Sequence, residues 1–191
     1  MQRKTLDDLG GANLEGVRCD RHAVCLPGTR RSLLQDVMRW IAEPDGQHAL
    51  WLHGMFGSGK LTFANTIVSR YMDMGLLGVS FRFSKNIDGR NLRMLLFRNI
   101  AYQLALFNSQ FRKHLLLAID RHEPMGNYPL RDQLEMFIIK PLHEVAFLSP
   151  VLVVIDALDE CGTEQERNDL LEAIAKDLSS LPNFVKVLVT S

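Results

Sequence analysis

The stretch Ala49–Thr62, ALWLHGMFGSGKLT, constrains this chain more than any other. Leu50, Trp51 and Leu52 form a short apolar run that reads as a strand. It feeds a glycine-rich turn, Gly54-Met55-Phe56-Gly57-Ser58-Gly59, and the turn ends in Lys60 at the head of an amphipathic segment. Small residues at this spacing let successive backbone N–H groups turn inward on a phosphate. The helix that follows presents its positive end to the same point, and a lysine there reaches the outer phosphates of a bound chain. The pattern is that of a P-loop, with one departure. G-x-x-x-x-G-K-[ST] places a metal-binding hydroxyl after the lysine, whereas this chain has Leu61 there and Thr62 one residue later.

A second motif supports the first. Val151-Leu152-Val153-Val154-Ile155 is an apolar, largely β-branched run that delivers Asp156, Asp159 and Glu160 at its carboxyl end. Such a run reads as a strand buried on both faces of a parallel sheet. Ligands of open α/β sheets sit outside the carboxyl ends of the strands, so Asp156 and the glycine turn are expected to open onto one crevice. Asp156 then suits the Mg²⁺-associated Walker B carboxylate, and Glu160 or Asp159 the orientation or deprotonation of an attacking water.

At 191 residues and 47% hydrophobic, the chain is long enough for one α/β domain with a substantial core. Its 22 basic residues balance 22 acidic ones, so no global charge draws it to nucleic acid or to an anionic membrane. Cys19, Cys25 and Cys161 form no C-x-x-C pair, which argues against a zinc site and a disulfide framework. No apolar run approaches a membrane span and no h-region follows the first basic residues. The expectation is a soluble chain in an intracellular, cytoplasmic setting.

In chain order, residues 1–24 read as a partly ordered lead-in and 25–191 as the nucleotide-binding domain. Thr29 is a candidate N-cap for a helix carrying Leu33, Leu34, Val37, Met38, Trp40 and Ile41 at helical spacing and ending near Glu43. Thr29 and Arg30 are also candidate base or sugar contacts; a cap and a surface arginine are the alternative. Lys60–Met74 predicts a helix closed by Gly75, and Val79–Phe83 a strand leading into the polar loop Ser84–Arg90. Asn91–Phe107, Gln110–Arg121 and Leu130 to about Val145 predict packing helices, the last containing Pro141. Thr163 with Glu166 predicts a capping box, and Phe184–Val189 a further buried strand ending in Thr190 and Ser191.

Five motifs in order carry a resemblance: Cys25-Leu26-Pro27-Gly28-Thr29-Arg30, WLHGMFGSGK, Tyr102-Gln103-Leu104, Val154-Ile155-Asp156-Ala157-Leu158-Asp159-Glu160-Cys161 and Val187-Leu188-Val189-Thr190-Ser191. From about residue 10 onward the chain resembles the nucleotide-binding module of fungal NACHT proteins, the nephrocystin-like N-terminal type of STAND signalling ATPase. The resemblance implies a three-layer α/β P-loop fold of the additional-strand class, with the last strand lying between the P-loop strand and the Walker B strand. It also implies a switch in which ADP holds a closed state and ATP allows self-association. Gly54, Gly57, Ser58, Gly59 and Lys60 match the family's phosphate loop, Thr62 its second hydroxyl position and Asp156 its Mg²⁺-associated acid. Asp159 and Glu160 match the distal acids that serve hydrolysis, while Thr190 and Ser191 match the sensor strand end. Leu61 departs from the pattern, and the chain stops ahead of the family's sensor arginine and lid.

The reading is therefore an ATP- or ADP-binding switch module, with hydrolysis slow or lost because Leu61 replaces the metal-binding hydroxyl and Mg²⁺ is held weakly. A non-hydrolysing interaction scaffold that keeps the fold but not the switch is the alternative. Neither nucleic acid nor membrane is expected as a partner.

Overall fold

The computed structural model describes residues 6–9, 23–55, 57–83 and 89–191, with the backbone alone at 7–8 and 89–95. Most of the lead-in, Phe56 and the loop residues 84–88 lie outside the described residues. The chain divides into two compact units.

The first unit comprises Val17–Phe83, Phe147–Glu160 and Asn183–Ser191 and holds the sheet. Its elements are α1 (Arg31–Ala42), β1 (Ala49–Leu52), α2 (Lys60–Asp73), β2 (Leu77–Arg82), β3 (Val151–Asp156) and β4 (Val185–Thr190). All strand pairs are parallel and the order is β1-β4-β3-β2. The last strand thus enters between β1 and β3, the position that the resemblance implies. Every residue of β3 and β4 is buried, as strands inside a layered α/β sheet are. Leu152, Val154 and Leu188 form one core with Leu34, Val37 and Ile41 of α1 and Phe63, Ile67, Val68 and Tyr71 of α2. Each large apolar side chain sealed here contributes about 1.5–3 kcal/mol, and this packing holds the amino end of α2 against the sheet.

One detail of the sequence reading changes at α1. Thr29 does not cap α1: its hydroxyl donates to Leu26 O at 2.7 Å inside a turn, and the cap position falls to Arg30, whose side chain makes no cap bond. The turn ending at Thr29 consumes the hydroxyl before the helix begins. The α2 exit agrees with the prediction: Leu76 N bonds Tyr71 O and Gly75 N bonds Met72 O, the paired bonds of a Schellman motif.

The second unit comprises Met1–Gly16, Ser84–Ala146 and Cys161–Pro182 and is helical among its described residues. It contains α3 (Gly89–Phe107), α4 (Ser109–Arg121), α5 (Leu130–Leu134), α6 (Lys140–His143) and α7 (Glu164–Asp177). Between α5 and α6 the helix widens to a π turn, Glu135–Ile139. The predicted helix therefore runs from Leu130 to His143 but is not uniform. Pro141 has no N–H and its ring crowds the carbonyl four residues back, which a wider turn relieves. The predicted capping box is present, with Thr163 accepting from Glu166 N and the Glu166 carboxylate accepting from Thr163 N. Phe97, Leu104, Phe111, Leu115, Phe137 and Leu170 are fully buried, which places the apolar residues of these helices in packing. Among the described residues no helix is long and apolar enough to cross a membrane.

Candidate functional site

Sheet register assembles the site at the carboxyl ends of the strands. Leu52 lies beside Thr190 in the β1–β4 pair. One residue further, Ser191 N donates to Leu52 O at 3.2 Å, and Gly54 N donates to Ser191 O at 3.3 Å. Ser191 is held again through its side chain: Trp51 Nε1 donates to Ser191 Oγ at 2.7 Å, and His53 Nδ1 lies 3.3 Å from the same oxygen. The glycine turn thus starts from a point clamped to the tip of β4.

Within the turn, Gly57 and Gly59 have φ of +76° and +75°, a region costly to L side chains. At Gly59 a Cβ would also lie 2.7 Å from Arg30 Nη2 and 3.2 Å from Thr62 Oγ1. Arg30 explains the crowding. Its Nη1 donates to Gly59 O at 3.0 Å and its Nη2 to Ser58 O. Gly59 O also accepts from Thr62 Oγ1 at 2.8 Å and from Phe63 N at 3.1 Å. These donors hold the carbonyls at the head of α2. The N–H groups of a first helical turn have no intrahelical partner, and Gly59 at the cap position brings no side chain to them. Lys60 Nζ folds back over the turn, donating to Gly54 O and to Met55 O, the latter at 3.1 Å. Such a turn can present N–H groups and an ammonium to an anion.

Arg30 therefore touches the turn, while Thr29 lines a separate cavity of about 390 Å³ together with Cys25, Leu26, Leu34, Thr66 and Arg70. This volume is in the range of small-molecule sites. Its wall is tied to α2: Cys25 N donates to Thr66 Oγ1 at 2.8 Å and Asn65 Nδ2 to Ala23 O at 3.0 Å.

Asp156 closes β3 and is buried. Thr190 orients it: the hydroxyl donates to Asp156 Oδ1 and accepts from Ala157 N at 3.1 Å. Ala157 is held at φ +56°, an uncommon conformation for a non-glycine residue and one of the two such strained positions among the described residues. The other carboxylate oxygen, Oδ2, lies 3.6 Å from Arg82 Nε, and Arg82 is the register partner of Asp156 in β2. Burial pushes the Asp156 carboxyl above its usual range, against the pull of the Thr190 bond and the Arg82 charge. Asp159 and Glu160 follow in a 3₁₀ turn, Leu158–Glu160. Sequence reasoning missed Arg82; its only signal was a lone charge near the carboxyl end of the predicted strand Val79–Phe83.

Mg²⁺ needs octahedral oxygen donors, commonly one or two carboxylates with substrate phosphates and water. Leu61 supplies no oxygen. Both oxygens of Asp156 are engaged, one by a hydroxyl and one by a guanidinium. The donor set at this edge does not fit a protein-held Mg²⁺.

Fold and site together define an α/β protein with a parallel sheet whose strand ends carry a glycine turn, a lysine and a buried aspartate. The family described as nephrocystin 3, N-terminal, matches residues 28–191, and the chain belongs to that family. No curated protein and no solved structure matches it.

Proposed function

We propose that this chain binds a purine nucleotide, ATP or ADP, as the switch module of a NACHT-type STAND protein of the fungal kind. One observation carries the reading: the turn Gly54–Gly59, the head of α2 and Asp156 converge on one sheet edge through the bonds of Leu52, Gly54, Thr190 and Ser191. In this reading Gly54, Gly57, Ser58, Gly59, Leu61 and Thr62 surround the phosphates and Lys60 leaves its turn carbonyls for a phosphate oxygen. The cavity beside Thr29 takes the base. Hydrolysis through Asp159 or Glu160 is slow or absent, and any self-association follows nucleotide state. The engaged Asp156 and the apolar Leu61 favour binding over turnover, which also supports a non-hydrolysing scaffold that retains nucleotide.

The test is calorimetric titration of ATP and ADP into the wild type and Lys60→Ala. A charge-assisted bond to phosphate contributes about 1.5–3 kcal/mol, so affinity is expected to fall on the order of tenfold or more for each bond lost. Equal affinity in the two proteins, with both folded, rules out this site.

A further inference from the structure

The mismatch with Mg²⁺ has a counterpart at the same edge. We propose that Arg82 is the resident cation of this site and that the chain binds its nucleotide polyphosphate without a divalent metal. The inference rests on the nucleotide reading above and adds to it the charge that neutralises the phosphates.

Position is the first support. Parallel strands lie about 4.8 Å apart, so the end of β2, three strands from β1, is roughly 14 Å from the glycine turn. Arg82 Nε is 3.6 Å from Asp156 Oδ2, so the guanidinium lies beside the buried aspartate at the carboxyl ends of β2 and β3. Access is the second support. Arg82 is 42% exposed at its side chain while that of Asp156 is 9% exposed. The pair thus presents a cation outward from a buried anion. Chemistry is the third. A guanidinium carries five N–H donors in a planar fork that matches phosphate oxygens, and the contact to Asp156 engages Nε. Unlike Mg²⁺ it asks for no inner-shell hydroxyl, so Leu61 is no loss. Thr190 completes the arrangement by donating to the other carboxylate oxygen, which leaves Oδ2 to the guanidinium.

The experiment measures ADP and ATP affinity by calorimetry, with excess Mg²⁺ and with EDTA, for the wild type, Arg82→Gln and Arg82→Lys. Thermal melts of each protein check folding. Wild-type affinity is expected to change less than about threefold between the two conditions. Arg82→Gln is expected to lose on the order of tenfold in EDTA, one charge-assisted contact, and to regain part of it with Mg²⁺. Arg82→Lys, which keeps the charge without the fork, is expected to lie between them and guards against a misfolded glutamine variant. Wild-type binding that collapses in EDTA overturns the proposal and leaves the nucleotide reading standing. Unchanged affinity of folded Arg82→Gln in EDTA does the same. Absence of binding by wild type in both conditions overturns the nucleotide reading, and the proposal with it.

Discussion

Arg30 allows function and stability to be pulled in opposite directions. It sits at φ +52°, where a non-glycine residue pays about 1–2 kcal/mol. Glycine relieves that strain but loses roughly 0.5–1 kcal/mol through the entropy of the unfolded chain. The backbone terms of Arg30→Gly therefore nearly cancel. The lost hydrogen bonds cost the fold little: Gly59 O keeps Thr62 Oγ1 and Phe63 N, and the bond to Ser58 O is exposed, so water can replace it. Net stability is expected to stay within about 1 kcal/mol of wild type. Nucleotide affinity is expected to behave differently. The guanidinium holds two carbonyls at the head of α2, and a turn that loses this hold must be ordered by the ligand. Taking the low end for a charged donor because the site is partly exposed, about 1.5 kcal/mol, ADP affinity falls on the order of tenfold. Arg30→Ala is expected to lose the same affinity and also to melt lower, since it keeps the backbone strain. Calorimetric titration with ADP and urea melts of the three proteins decide the matter. Wild-type affinity in Arg30→Gly refutes the positioning role; a loss of affinity matched by an equal loss of folding stability shows that the arginine serves the fold alone.

Gly57→Ala and Gly59→Ala both force alanine to positive φ, at about 1–2 kcal/mol each, but only at Gly59 does the new Cβ meet Arg30 and Thr62. Gly59→Ala is expected to be the more destabilising in urea melts, and combining it with Arg30→Gly is expected to recover part of the difference; additive losses would deny the contact. Lys186 is fully buried, donates to Gly46 O and Gln47 O, and has its ammonium 5.9 Å from the Trp40 ring centroid. Burial lowers its pKa below 10.5 against the charges of Glu43 and Asp45. The unfolded chain then binds more protons between the lowered value and 10.5, so this group's contribution rises with pH across that window and is lost as pH falls through the folded value. Wild-type stability relative to Lys186→Met is expected to climb as pH is raised toward 10.5, and a flat difference in denaturant melts would contradict the assignment.

What was legible in the sequence is what the chain decides over a few residues. The glycines and Lys60 mark their own turn and helix start, Thr163 and Glu166 lie within one turn of each other, and β-branched runs announce buried strands. Gly57 and Gly59 show their conformational demand through residue type alone. Strand order was not readable from such patterns, because one apolar parallel strand looks like another; the place of β4 between β1 and β3 was anticipated through resemblance and is found in the register. Only the tertiary structure decided which partners the polar residues take. Arg30 reaches Ser58 and Gly59, and Asp156 meets both Thr190 and Arg82, across sequence separations where periodicity carries no information. The sheet sets the meetings of Asp156, since residues far apart in the chain become neighbours at about 4.8 Å only once parallel register aligns the strand ends, while the Arg30 contacts follow from α1 and α2 sharing one core.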